Sequence, residues 1–567
     1  MGQAKTMIET FNMQPYREAI EAGFAALAAK NIIPRIWKKD WTVWKNQPDE
    51  IANRLGWLFC PEKAEKDLPK IRKFVEQARK NGCSRALLLG MGGSSLAPLV
   101  MANVFATSRF GLELEVLDST DPAAVLGVRK RNDPENTLYI VSSKSGTTTE
   151  TLSFFKFFWN EACESLGEKK AAGHFVAITD PCSPLAKLAL EMGFTRFLAD
   201  PEIGGRFSAL SVFNLLPTAL KGIRIPNVLR SGKEMADTCR ESSNLKANPG
   251  ALLGILLAAL DSQGRDKLTF LLPQRMRIFG LWLEQLIAES TGKKGRGILP
   301  VAGETIGPPG VYGSDRVFVQ IKTPRSPARW PAVERLKKAG FPLISLRLPS
   351  LSSLGNQFFL WEFATALSAF FLEINPFDQP DVESAKKKTR EVLAVFRREG
   401  AIPGEKPQFQ KDGIAVFSDV SAASLKAWPN LFLSQARPGD YIALQVYLMP
   451  DRQKDAILSG LRTTLRAKTR LATTLGYGPR YLHSTGQLHK GDRGNGLFIQ
   501  ITARNEQDVP IPDEPGSASA VISFGALEAA QARGDMEALK FAGRRIARLH
   551  LNKPTGAGLR KIATLLD

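Results

Sequence analysis

Three short segments of this chain combine residue types that phosphate chemistry uses. Gly90-Met91-Gly92-Gly93-Ser94-Ser95 follows the apolar run Ala86–Leu89 and precedes an apolar, helix-forming stretch that starts near Leu96. A glycine turn between a strand and a helix lets backbone N–H groups approach an anion at the positive end of the helix, with Gly93 and Ser94 nearest to it. A dinucleotide fingerprint would need a third glycine at 95, where Ser95 stands. No Gly-Lys-Ser/Thr follows either, so a nucleoside-triphosphate loop is excluded. The second segment, Ser142-Ser143-Lys144-Ser145-Gly146-Thr147-Thr148-Thr149-Glu150, also sits between a strand and a helix. Ser143, Ser145, Thr147 and Thr148 supply hydroxyls, Lys144 a cation and the turn its backbone N–H groups. A helix cap needs only one or two such hydroxyls, so the segment reads as a cradle for a phosphomonoester. The third, Gly204-Gly205-Arg206-Phe207-Ser208, puts a guanidinium behind two glycines, where it can approach a developing oxyanion closely.

These loops need a scaffold that holds strand ends together. Leu114–Leu117, Leu138–Val141 and Phe175–Ile178 repeat the apolar pattern of Ala86–Leu89, with helix-forming stretches at Thr149–Cys163 and Pro184–Met192 between them. Strands alternating with helices predict an α/β fold with a doubly wound parallel sheet. A second such unit begins near Leu268–Leu272 and continues through Val317–Val319 and Leu343–Leu346. The Pro- and Gly-rich stretch 402–407 reads as a linker. Beyond it, Gly491–Ile501 echoes Gly313–Ile321, and Tyr447–Pro450 echoes Leu271–Pro273. The tail is therefore expected to be a degenerate repeat of the second unit. Four regions result: a helical, wrapping segment 1–74, a phosphate-binding unit 75–255, a second unit 256–400 and a repeat-like α/β unit 401–567.

Composition narrows the function. The chain has 567 residues, 44% apolar, too many for wholesale disorder. Its longest apolar stretch, Ala251–Leu260, is about half of a membrane span, and no secretory signal is expected. Met1–Thr6 fits a short myristoylation pattern of the kind that often matches by chance. Five scattered cysteines, an odd number, and four histidines without metal-ligand spacing argue against a disulfide framework or a metal site and for a reducing cytoplasm. The net charge of +20 suits an anionic partner, but the basic residues are dispersed, as on solvated faces, and no nucleic-acid or membrane partner is expected.

Taken in order, the three loops resemble those of the phosphoglucose isomerase family, which has the sugar-isomerase (SIS) fold. Two further motifs carry the resemblance: Gln285–Lys293 looks like the helix end that bears the family's catalytic glutamate, and Asn375–Glu383 looks like its C-terminal signature. The N-terminal segment and tail are similar to the isomerase part of fused transaldolase–phosphoglucose isomerase proteins. The resemblance implies interconversion of glucose 6-phosphate and fructose 6-phosphate through a cis-enediol, with no cofactor or metal, in a homodimer with shared sites. It also implies Glu289 as base, with Arg206 and Lys386 as further catalytic groups and Gln285 and Gln379 among the substrate-binding residues. A carboxylate suits this proton transfer if its surroundings bring its pKa towards neutrality. Glu289 is expected near a carboxyl-terminal rim of a sheet, with Gln285 one turn earlier on the same helix face.

One departure is plain. Where the family has a ring-opening histidine, the stretch Tyr312–Phe318 offers Arg316, and arginine does not exchange protons near neutral pH. Ring opening would then fall to Lys386, to His489 in the tail, or to water. Thr291, where the usual motif has Asn, leaves a dual phosphoglucose/phosphomannose isomerase open. A non-catalytic sugar-phosphate sensor on the same fold is the other alternative.

Overall fold

The computed structural model describes residues 7–327, 329–402 and 404–567. The Met1–Thr6 pattern and Pro403 of the expected linker lie outside the described residues. The chain opens with strand β1 (Ile8–Phe11), and the first sheet follows: β2 (Arg85–Gly90), β3 (Glu113–Leu117), β4 (Thr137–Ser142), β5 (Phe175–Thr179) and β6 (Thr195–Leu198). All neighbours are parallel, in the order β3-β2-β4-β5-β6. Helices cover both faces of such a sheet, which is why β4 and β5 are buried throughout and apolar through their centres rather than alternating.

The second sheet contains β7 (Lys267–Leu271), β8 (Leu299–Val301), β9 (Arg316–Lys322) and β10 (Leu343–Arg347), ordered β8-β7-β9-β10. β1 pairs antiparallel with β10, Ile8 opposite Leu346. The N-terminal segment thus does more than wrap: its first strand completes the second sheet. The short β6 and β8 were not evident in the sequence.

The third sheet comprises β11 (Phe409–Lys411), β12 (Ile414–Ser418), β13 (Tyr441–Tyr447), β14 (Ala472–Tyr477), β15 (Gly496–Ala503) and, after a small ribbon of β16 (Pro510–Ile511) and β17 (Ile522–Ser523), β18 (Arg545–Leu551). Its parallel strands run β14-β13-β15-β18, with β12 antiparallel beside β18. The second sheet has the same order and the same antiparallel edge.

The third unit is packed onto the other two. Leu299 and Val301 share a buried cluster with Tyr441, Ala443 and Phe498. Phe154 stacks on Phe524 at 5.7 Å between ring centres, joining the helix Thr149–Leu166 to the helix Phe524–Phe541. Arg316 is fully buried here and lies in this interface. Its guanidinium donates two 3.0 Å bonds to Glu304, and Arg466 of the third unit stands 3.3 Å from the same carboxylate. Arg316 is therefore a member of a buried ion-pair cluster between the second and third units.

Candidate active site

Glu289 lies in the last turn of the helix Phe279–Thr291, 3% exposed. That helix runs back along its sheet from β7 to the start of β8, so its end lies at the amino-terminal side of the second sheet. The carboxyl rim that Glu289 faces belongs to the first sheet instead. There Arg206, in a single turn of 3₁₀ helix, stands 3.5 Å from the Glu289 carboxylate and donates from Nε to Ser290 Oγ at 2.9 Å. Its other terminal nitrogen is held by the carbonyls of Pro376 and Asp378. Burial pushes the Glu289 carboxyl up to about 7, against the lowering pull of Arg206 and His483. Removing a carboxylate from water disfavours its charged form, and one cation at the edge of hydrogen-bonding distance compensates only in part.

The glycine loops are shaped by close approach. A Cβ on Gly93 would lie 2.3 Å from the Gly205 carbonyl oxygen, so the turn after β2 and the Arg206 turn meet backbone to backbone. Gly92, at φ +53°, has the Gln285 amide and the His483 carbonyl beside it. Gln285 donates to that carbonyl at 2.7 Å. Next to this junction lies the cradle after β4. Ser143 Oγ and Thr148 Oγ1 are 2.9 Å apart, and the Gly146 N–H donates to Ser143 Oγ. Ser145 and Thr147 form the exposed tip, where the Thr147 hydroxyl donates to Ser145 Oγ at 2.9 Å. Ser94 closes the back of the cradle, its carbonyl accepting from Ser142 Oγ at 3.1 Å.

Two expectations need correction. His489 is not at this site. It is buried between Tyr441, Tyr481 and Phe498, with Gln445 3.4 Å from Nδ1, and burial pushes its pKa well below the usual histidine value. Lys144 does not offer a free charge, because its ammonium is paired with Asp180. Lys386 stands at the rim, half exposed and 2.8 Å from Glu383, within electrostatic range of His483 and Glu150. Gln379 is half-buried beside Asp378, whose carbonyl Arg206 holds.

The histidine that does enter the site is His483, in the turn Arg480–His483 that follows β14. Its Nε2 is 2.8 Å from Glu150 Oε1, and its side chain keeps 22% of its surface exposed. Burial alone would lower its pKa, but the charge and hydrogen bond of Glu150 overcome this and hold it above the usual value. Gln531 donates to Glu150 at 2.6 Å, and the Thr120 hydroxyl donates to Gln531 Oε1 at 2.9 Å. A carboxylate–histidine pair fixed in this way can donate and accept a proton near neutral pH. The sequence signal that could have found it is Glu150 itself, an acid buried in the first turn of a helix where the cradle ends. Lys293, buried and donating to Asp378 at 2.7 Å, completes the polar wall.

Thr291 is turned away from the site: its hydroxyl donates to the Ile287 carbonyl at 2.7 Å and accepts from the Ile298 N–H.

A family model described as phosphoglucose isomerase matches residues 63–299. A glucose-6-phosphate isomerase of Mycoplasmopsis pulmonis (strain UAB CTIP) is 30% identical over 392 residues, 60% of this chain and 90% of that protein. One of Carboxydothermus hydrogenoformans is 29% identical over 404 residues, 61% of this chain and 86% of that protein. Among solved structures, a hypothetical protein from Thermus thermophilus matches with a TM-score of 0.57 at 26% identity, covering 68% of this chain and 100% of that one.

Proposed function

Since this chain belongs to the phosphoglucose isomerase family, we propose that the site just described performs the family's reaction, with Glu289 as the base and His483 as the ring-opening group. The reaction is the interconversion of glucose 6-phosphate and fructose 6-phosphate. The observation that carries the assignment is the Glu289 carboxyl, tuned to about 7 and set 3.5 Å from a buried arginine at the mouth of the phosphate cradle.

In this reading the hydroxyls of Ser143 and Thr148 and the N–H groups of their turn bind the phosphate, with Ser145 and Thr147 closing over it. Lys144 positions the loop through Asp180 rather than binding directly. Glu150 occupies Nε2 of His483, which leaves Nδ1 for the sugar. His483 then gives its proton to the ring oxygen as the C1–O5 bond breaks, and the O1 hydroxyl proton is returned to the histidine. Glu289 removes the proton from C2 of the open aldose, leaving a cis-enediolate whose O2 hydroxyl proton passes to O1, and delivers its own proton to C1 to give the ketose. Arg206 stabilises the negative charge that develops on the oxygens. Gln285 and Gln379 orient hydroxyls, and Lys386 adds positive charge at the rim.

We keep the homodimer and the cytoplasm as parts of this reading, from the family resemblance. No described helix is long and apolar enough to cross a membrane. In this reading Glu289, Arg206 and His483 meet within one chain, and the homodimer is kept without the sharing of these three groups that the resemblance implies. The matching strand orders of the second and third sheets favour the tail being a degenerate copy. It lacks the base, since the place sixteen residues after Pro450 holds Arg466, whereas the same count from Pro273 reaches Glu289. The test is direct: the purified protein is given fructose 6-phosphate, and glucose 6-phosphate is followed with a coupled dehydrogenase. Absence of conversion would refute the proposal.

A further inference from the structure

The second sheet repeats the strand order of the first. Its β8-β7-β9-β10 corresponds, strand for strand in chain order, to β3-β2-β4-β5. In open α/β sheets ligands bind outside the carboxyl ends of the strands, where the strand order reverses. In the first sheet that place lies between β2 and β4 and is the phosphate cradle. The equivalent place in the second sheet lies between β7 and β9, and it is a crevice of about 630 Å³. Volumes of roughly 300–1,000 Å³ are typical of small-molecule sites.

The crevice is lined by the turns that follow all three strands. Pro273, Gln274 and Arg277 come after β7, Glu304 and Thr305 after β8, and Arg325, Ser326 and Trp330 after β9. Arg277 and Arg325 are exposed, and among the described residues neither has a carboxylate within ion-pair distance. The one carboxylate in the wall, Glu304, is already held by Arg316 and Arg466. The turn after β9 is ordered by its own hydroxyls: the Thr323 N–H donates to Ser326 Oγ at 2.9 Å, and the two hydroxyl oxygens are 3.1 Å apart. This is the same device that shapes the Ser143–Thr148 cradle. Trp330 adds a half-buried indole. The crevice is separate from the catalytic site, because Arg277 precedes the helix Phe279–Thr291 and Glu289 lies in its last turn. At 1.5 Å per residue the two ends are on the order of 15–20 Å apart.

We propose that this crevice is a second anion site, which takes a nucleoside monophosphate with its phosphate between Arg277 and Arg325 and its base against Trp330. Two guanidiniums suit the charge and geometry of a phosphate, and an indole face accepts any base by stacking.

The probe is AMP, titrated calorimetrically into the full-length protein and three variants. Binding is expected in the wild type and, undiminished, in the Ser143→Ala/Thr148→Ala variant, whose catalytic cradle is impaired. It is expected to weaken on the order of tenfold or more in Arg277→Ala/Arg325→Ala, each lost charged hydrogen bond having at least that effect. Isomerase turnover of this last variant without AMP should be unchanged. Arg325→Gln, a single change on an exposed turn, should weaken binding in the same direction if the double variant is unstable. The proposal is overturned if the wild type shows no binding at millimolar AMP. It is equally overturned if binding survives the arginine changes or is lost with the Ser143/Thr148 cradle instead.

Discussion

His483 Nε2 lies 2.8 Å from Glu150 Oε1, so a histidine of the third unit is held by a carboxylate that opens the helix after the cradle of the first. This pairing sets a pH dependence. Glu289 must be ionised to act as base, so kcat/KM should rise with pH through about 7. His483 must be protonated to open the ring, so the rate should fall again as pH passes its raised pKa. In Glu150→Gln the charge that raises that pKa is gone and burial prevails. The descending limb should therefore move to lower pH while the ascending limb stays near its place. A pH–rate profile of both proteins reads this, and an unmoved descending limb would refute the pairing's role.

The two tail histidines should separate cleanly. His483→Asn should slow turnover of the cyclic sugar by about two to four orders of magnitude, the usual contribution of general acid–base catalysis, and spare an open-chain substrate. His489→Ala removes a ring enclosed by Tyr441, Tyr481 and Phe498, so it should lower thermal stability and leave ring opening intact. Comparing both variants on both substrates checks the assignment.

Because Glu289 and His483 reach the site from one chain, mixing two inactive variants should not restore activity. Glu289→Gln and His483→Asn proteins, co-expressed or unfolded and refolded together, should remain inactive. Recovery of about a quarter of wild-type turnover, the statistical share of complete sites in mixed dimers, would place one of these groups across a subunit interface.

The parts legible in the sequence were those fixed by local chemistry. Apolar runs such as Leu138–Val141 and Phe175–Ile178 declare buried parallel strands, and the glycine turns at Gly92 and Gly205 meet each other beside the turn at Ser143. What the sequence hid depends on distant packing. The placement of His483 rather than His489 depends on how the third unit docks. So does the capture of Arg316 by Glu304, and the pairing of Lys144 with Asp180 requires β4 and β5 to be neighbours. Strand β1 pairs with a partner more than three hundred residues away, which no local pattern announces.

Glu304 ties the second and third units together, and its ionisation should be visible in stability. Burial would raise its carboxyl, but Arg316 first, then Arg462 and Arg466, bring it down to about 2. A depressed carboxylate stabilises the fold fully above its unfolded value near 4.5, and that contribution is lost as pH falls towards about 2. Glu304→Gln leaves buried arginines uncompensated and should cost roughly 3–5 kcal/mol at neutral pH, as breaking a buried pair does. Denaturant unfolding at pH 7 and at pH 3 measures both: the deficit of the variant should shrink at the lower pH. A variant as stable as the wild type at pH 7 would contradict the account.

The central claim is that Glu289 carries the proton between C1 and C2. Fructose 6-phosphate in D₂O, followed by proton NMR with wild type and with Glu289→Gln, tests it at the reacting carbons. The wild type should wash deuterium into the transferred position during isomerisation. The variant should bind the sugar phosphate with nearly unchanged affinity and exchange slower by about two to four orders of magnitude. Exchange by Glu289→Gln at the wild-type rate would contradict the account.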